Sequence, residues 1–327
     1  PKKQEHDGVV DAYTSSIQYT YDWDDNTQTD EAVPYLRLAK MTYPDGREVC
    51  YNYAVGIDSD ISRVSEIADD NTSPAETYAA YAYLGSGTIV SVSHPSVTGG
   101  LVLSYGSDGS AGLDPFGRVT SQTWTNDAAT ATLDEYLYGY DASGNRIWKE
   151  NTVSKARSTP VYLDELHTYD SISRLTGTHR GELNGTHDGF QSSTENFAQT
   201  WTLDAVGNWS QFTQDDDGDG TADLDQTRET DAANQITSIT GGWAQPTYDA
   251  AGNMTAGPKP GDETVTDLYR YDAWNLLVAV YDDADSDSQP DPSELVAEYT
   301  YDGQGQRIQK TAGSTTTDYY YNAAGQV

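Results

Sequence analysis

The chain has 327 residues, a formal net charge of −34, 25 tyrosines against 4 phenylalanines, and 29 glycines. Only 18 lysines and arginines stand against 52 acids, so the basic clusters that bind phosphate backbones or anionic membranes are missing, which excludes nucleic acid as a partner and makes divalent cations the natural counter-ions. No stretch approaches the ~18 apolar residues of a membrane span, and a Tyr-, Trp-, Thr- and Val-rich composition favours pleated, half-buried strands over disorder.

In chain order, residues 1–110 form an N-terminal region of divergent strand-and-turn units. The opening Pro1-Lys2-Lys3 and the end at Gln326-Val327 are expected to be cuts inside a longer chain, and no signal peptide is visible. Asp22, Asp24, Asp25, Asn26 and Asp30 make an acidic segment read as a decorated turn. Tyr43-Pro44-Asp45-Gly46-Arg47 is a compact turn element, and Cys50, the single cysteine, has no internal partner for a disulfide.

From residue 111 a repeat becomes regular, with anchors at Asp114, Asp141, Asp170, Asp204, Asp231, Asp249, Asp272, Asp302 and Asn322. An aspartate opens a tight turn by accepting hydrogen bonds from backbone just downstream. Three residues later the chain must adopt positive φ to re-enter a strand. That position is Gly117, Gly144, Ser173, Gly207, Asn234, Gly252, Asn275, Gly305 and Gly325, the residue choice that a left-handed position imposes. Tyrosines two apart precede several anchors, as in Tyr138 and Tyr140, Tyr269 and Tyr271, Tyr299 and Tyr301, and Tyr319 and Tyr321. Residues two apart share one face of a strand, so these predict paired tyrosine ladders. Two residues beyond the left-handed position the side chain is usually apolar, with Arg146 and Arg307 as exceptions.

Two acidic insertions interrupt the repeats. Residues 215–225 have the D-x-D-x-D-G-x-x-D spacing of calcium loops, with Asp215, Asp217, Asp219, Thr221 and Asp223 as candidate ligands and Gly220 at the bend; Gln226 stands where an EF-hand carries its bidentate glutamate. Residues 283–294 offer Asp283, Asp285, Asp287 and the terminal Glu294, with Ser288 replacing the bend glycine. Ca²⁺ is the expected cofactor of both loops. The bland alternative for each is a solvated acidic turn.

Catalytic signatures are thin. His6, His94, His167, His179 and His187 lack zinc-binding spacing, and neither a nucleophile elbow nor a phosphate loop is present. With 52 acids, any carboxylate pair proposed for glycoside hydrolysis has almost no specificity. Trp201 and Trp209 flank a turn at strand periodicity and read as packing rather than as a sugar platform.

The motif Tyr-Asp-x-x-Gly-Asn/Arg, seen at Tyr140-Asp141 to Asn145 and Tyr248-Asp249 to Asn253, resembles the YD repeats of bacterial RHS proteins, insect toxin-complex subunits and teneurins. Asp114 to Thr120 and Asp170 to Thr176 carry the fuller Arg-Val/Leu-Thr ending, and Tyr43 to Val49 is similar to another RHS element. The resemblance covers about residues 15–327, is looser from 50 to 110, and has the flavour of long secreted repeat proteins of planctomycete-type bacteria. It implies an all-β fold of tandem antiparallel β-hairpins that join into a curved, spiralling sheet, a partial β-shell or solenoid. RHS proteins often end in a self-cleaving aspartate domain, but Asp114-Pro115-Phe116-Gly117 continues as an ordinary repeat, and no catalytic residue carries over.

The leading functional expectation is a non-catalytic structural segment of a large secreted or cell-surface bacterial protein, a shell, encapsulation or filament scaffold. Its expected partners are the rest of the parent chain or sister copies, met through exposed sheet edges. The alternative is an adhesin or glycan-binding module using exposed Tyr and Trp against a cell-surface partner. A glycoside-acting enzyme is a distant third.

Overall fold

The structure, a computed structural model, describes residues 2–5, 16–22, 36–69, 76–106, 112–126, 131–192, 194–321 and 325–326. It is nearly all β. The first strands are β1 (Lys2–Glu5), β2 (Ser16–Asp22), β3 (Arg37–Thr42), β4 (Glu48–Asn52), β5 (Glu66–Asp69) and β6 (Glu76–Leu84). They are followed by β7 (Thr88–His94), β8 (Leu101–Ser104), β9 (Ser121–Thr125), β10 (Thr132–Tyr140), β11 (Arg146–Asn151) and β12 (Asp164–Tyr169). Next come β13 (Leu175–Gly181), β14 (Phe197–Leu203), β15 (Trp209–Asp215), β16 (Leu224–Thr230) and β17 (Ile236–Ile239). The last are β18 (Thr247–Tyr248), β19 (Met254–Lys259), β20 (Asp262–Tyr271), β21 (Leu277–Asp282), β22 (Leu295–Tyr301), β23 (Arg307–Ala312) and β24 (Thr315–Asp318). Helix among the described residues is confined to α1 (Ile57–Asp60), α2 (Thr152–Lys155) and one 3₁₀ turn at Pro292–Glu294.

The chain forms two compact units. One comprises residues 1–166 and 181–191, the other residues 167–180 and 192–327. In the first, each strand pairs antiparallel with its sequence neighbour, as in β2–β3, β6–β7 and β10–β11. In the second, β13 to β17 pair in the same serial way, and β18 to β24 form a separate seven-stranded sheet. The break between β17 and β18 has a local cause. The Gln245 carboxamide accepts from the Ile239 N–H at 2.9 Å and donates to the Ile239 carbonyl at 3.0 Å. One side chain thus occupies the β17 edge where another strand would bond, and Pro246 follows it.

The turns repeat one construction. At Asp141, the backbone N–H bonds the Asn145 carbonyl at 2.9 Å and the Gly144 N–H returns to the Asp141 carbonyl at 3.1 Å. The Asp141 carboxylate accepts from the Ser143 and Asn145 N–H groups at 2.9 and 2.8 Å. Asp114, Asp170, Asp204, Asp231, Asp249, Asp272 and Asp302 do the same with the residues two and four further on. All nine expected left-handed positions have positive φ, from 62° at Asn234 and Asn275 to 100° at Gly207. The strand register shifts at the residue before the anchor, as between Gly139 and Tyr140 or Arg270 and Tyr271, the bulge that accompanies such a turn.

The residue after the left-handed position ties successive turns together. Arg174 Nε bonds its own Asp170 at 2.6 Å while its Nη1 donates to the Asp204 carbonyl of the next turn at 2.6 Å. Asn208 links Asp204 to Asn234, and Asn253 links Asp249 to Asn275. Tyrosines add a second tie: the hydroxyls of Tyr140, Tyr301 and Tyr321 donate at 2.7 Å to the carbonyls of Val119, Leu277 and Arg307 in the preceding hairpin. The two arginine exceptions fit this lattice. Arg146 lies over the Tyr138 ring and Arg307 over those of Tyr299 and Tyr319, so cation–π contact takes the place of an apolar side chain.

The looser region hides a further unit. Ser62 has φ 54°, Arg63 pairs with Asp58 and donates to the Gly85 carbonyl, and Tyr83 donates to the Val64 carbonyl. Helix α1 lengthens this turn by one residue, which removes the three-residue spacing from the sequence. Buried apolar side chains are few among the described residues, and four of the twelve are alanines. They include Ile17, Met41, Ala68 and Ala79 in the first unit, and Leu268, Ala279, Tyr281 and Ala297 in the second.

Candidate metal centres

Both acidic loops lie in the second unit, and each starts from a buried aspartate at the end of a strand. Asp215 closes β15 and is 8 % exposed; Asp283 follows β21 and is 6 % exposed. The two loops share a skeleton that their alternating carboxylates create. Asp215 accepts from the Gly218 N–H at 2.7 Å and the Gly220 N–H at 2.8 Å, and Asp283 from the Ser288 N–H at 3.1 Å. Asp217 and Asp219 each accept from the N–H two residues on, as do Asp285 and Asp287. Gly218 and Gly220 have φ of 75° and 86°, and their counterparts Ser286 and Ser288 have 61° and 60°. Burial opposes ionisation of Asp215, but the N–H groups of Gly220 and Gly218 overcome it and hold the carboxyl below its ordinary range.

The loops close differently. In the first, Asp223 reaches back to accept from the Asp216 N–H at 2.8 Å. In the second, Glu294 does this, accepting from the N–H groups of Ala284 and Asp285 at 2.9 and 3.3 Å. Asp215, Asp217 and Asp223 therefore each bring one carboxylate oxygen within 4.8 Å of the others, and so do Asp283, Asp285 and Glu294. A second overlapping group is Asp285, Asp287 and Asp291. Asp219 is not in the first group; it spends an oxygen on the N–H of the other candidate ligand, Thr221. The sequence places Gln226 at the EF-hand glutamate position. It points away into a fully buried site, where its Oε1 accepts from Arg228 Nε at 2.7 Å. Strand β16 starts at Leu224 and carries Gln226 off, whereas the 3₁₀ turn keeps Glu294 at its loop. Glu294 Oε2 is buried with no hydrogen-bond partner beside Asp283 and Asp285. These all-oxygen sets are the donors that a hard divalent cation takes.

Of the third acidic segment, residues 23–30 lie outside the described residues, as does His6. The other histidines sit in separate hydrogen bonds: His94 with the Tyr78 carbonyl, His167 with Thr178, and His179 with Glu195. His187 stacks on Trp148 with 4.0 Å between centroids and bonds Glu150 at 3.0 Å. Glu150 also takes Lys155, which approaches the buried Asp164 at 3.6 Å. Burial opposes the charge on Glu150, but Lys155 and His187 hold its carboxyl below the ordinary range. This knot joins Asn151, Asp164 and the Leu183 N–H and fastens a loop to the sheet. Trp201 and Trp209 pack against Phe212 at 5.8 Å, while Trp274 stands 79 % exposed.

No family model matches the chain, and no curated protein matches it. Solved structures do. The Photorhabdus luminescens Tc holotoxin pore superimposes with a TM-score of 0.65 at 16 % identity, over 94 % of this chain and 15 % of that one. The TcdB2–TccC3–Cdc42 structure gives 0.65 at 16 %, over 92 % and 14 %, and TcdB2–TccC3–TEV gives 0.63 at 15 %, over 95 % and 16 %. The chain thus has the fold of these toxin components, in agreement with the YD-repeat resemblance, and spans about 15 % of the length of the first. No helix among the described residues is long and apolar enough to cross a membrane.

Proposed function

We propose that the chain is a non-catalytic structural segment of a large secreted or cell-surface RHS-type protein, part of a shell, encapsulation or filament scaffold. The observation that carries this reading is the lattice of tied turns. Turn aspartates accept from their own backbone, Arg174 reaches the next turn's carbonyl, Asn208 and Asn253 reach the next turn's asparagine side chain, and the Tyr140, Tyr301 and Tyr321 hydroxyls reach carbonyls of the preceding hairpin. Such chemistry serves propagation of a sheet by repeated units. It also favours scaffold over glycan platform, because the ladder tyrosines are half-buried and the hydroxyls of Tyr140, Tyr301 and Tyr321 are committed to carbonyls. The shared fold with toxin-complex components agrees with it. Electron microscopy of the purified chain is expected to show curved sheets, caps or fibres. Small compact particles that do not change with concentration would overturn the scaffold reading.

The same reading includes calcium at the two acidic loops, with Asp215, Asp217 and Asp223 holding one ion and Asp283, Asp285 and Glu294 a second. A chain at −34 repels itself when compact, and an ion bound only by the folded form stabilises it by roughly 2.7 kcal/mol at ~100-fold excess over Kd. Thermal unfolding at constant ionic strength should rise with calcium well beyond magnesium. Asp217→Ala combined with Asp285→Ala should remove most of the difference. Equal shifts with both ions would reduce the loops to solvated acidic turns.

A further inference from the structure

Arg228 is a half-buried arginine of the second unit. Arg174 is paired with Asp170, but among the described residues no carboxylate pairs with Arg228, in a chain that carries 52 acids. Its Nε is spent on Gln226 Oε1 at 2.7 Å and its guanidinium carbon lies 4.8 Å from the Trp209 ring centroid. Beneath it Gln226 is fully buried, and Gln226 Nε2 has no acceptor. Burial, with no acid opposing it, lowers the guanidinium's affinity for its proton from the ordinary value. The two terminal guanidinium nitrogens are left with their hydrogens to give. A half-buried cation without a counter-charge is a costly arrangement to keep in a protein so rich in carboxylates.

Arg228 also lines a cavity of about 320 Å³, together with Ile239, Trp243, Pro246, Met254 and Lys259, within the range of small-molecule sites. Ile239 faces Arg228 across the β16–β17 pair. The walls are apolar apart from charged groups at Arg228, Lys259 and Glu263. Lys259 is already neutralised by Asp282 at 2.6 Å, so Arg228 is the lining cation with charge to offer. A guanidinium presents parallel N–H groups that match a carboxylate. A dianionic phosphate would bring a second negative charge that nothing here compensates, beside Glu263.

We propose that this cavity binds an apolar monocarboxylate, its carboxylate on Arg228 and its hydrocarbon body against Trp243, Pro246 and Met254. The acid is either a free aryl or alkyl carboxylic acid or the C-terminal carboxylate of a peptide ending in an apolar residue; both present the same chemistry.

Titration of the full chain by tryptophan fluorescence and by calorimetry tests this, with 4-phenylbutyrate, 4-phenylbutanol and N-acetylglycyl-phenylalanine as probes. The carboxylic acid is expected to saturate at submillimolar concentration and to bind about tenfold or more tightly than the alcohol. Whichever of the two acids binds more tightly identifies the source. Arg228→Gln should bring acid and alcohol to equal affinity, Arg228→Lys should retain part of the preference, and Met254→Trp should block both probes. The comparison of acid with alcohol in the unaltered chain needs no variant and stands if Arg228→Gln does not fold. Equal affinity for acid and alcohol there, or no saturation by either acid up to ~10 mM, would overturn the proposal.

Discussion

Gly207→Ala isolates the backbone requirement of the repeat from every packing effect. Gly207 is at φ 100°, the most extreme of the nine turn positions. A Cβ built there meets only Arg174 Nη1, at 3.9 Å, which is ordinary contact. The substitution therefore adds no clash, and its whole cost is that of holding an L-residue on the positive-φ side, about 1–2 kcal/mol. For a unit of ~150–250 residues that lowers Tm by roughly 2–8 °C. Gly303→Ala is the matched control in another turn: Gly303 lacks positive φ and has no atom within 4 Å of a built Cβ. It should be neutral or stabilise by about 0.4–1 kcal/mol through the unfolded chain. The assay is urea and thermal unfolding of the full chain followed by tryptophan fluorescence, since Trp209 and Trp201 sit beside the Gly207 turn. Equal stability of Gly207→Ala and the parent, or equal loss in both variants, would refute the assignment of the third turn position to left-handed geometry.

Tyr301→Phe removes one hydroxyl, that bonded to the Leu277 carbonyl at 2.7 Å, and should cost about 0.5–1.5 kcal/mol; an unchanged unfolding midpoint would show that the tie between hairpins adds nothing. Stability should also fall in acid. The carboxamides of Asn145, Asn208 and Asn253, then the turn N–H groups, hold Asp141, Asp204 and Asp249 below the ordinary carboxylate value. Their contribution is complete above that ordinary value and is lost as pH falls through it towards the lower folded values; a urea midpoint that stays flat from pH ~5 to ~2.5 would contradict this. Gln245→Ala should uncover the Ile239 N–H and carbonyl on the β17 edge and promote edge-to-edge association, read by analytical ultracentrifugation, where an unaltered sedimentation profile would count against it.

The turns were legible in the sequence because their cause is local. A carboxylate that accepts from backbone two and four residues on, and a position restricted to Gly, Asn or Ser, both leave their mark within five residues. The serial antiparallel pairing follows, since hairpins join neighbours in the chain. The Ser62 turn escaped notice because one helical residue changes its spacing while leaving its contacts intact. The role of Arg174, Asn208 and Asn253 as ties was equally hidden, because their second partner lies 22 to 30 residues away. The acidic loops show the division most clearly. Alternating aspartates predict the shared skeleton, but which residue closes each loop depends on where the next strand begins. Strand β16 takes Gln226 into the interior and leaves Asp223 to close the first loop, while a 3₁₀ turn keeps Glu294 at the second. The cavity at Arg228 had no sequence signal at all. Its lining comes from β16, β17, β19 and the segments around Trp243 and Glu263, and an arginine without an acid partner is recognisable only when folding has determined which carboxylates stand near it.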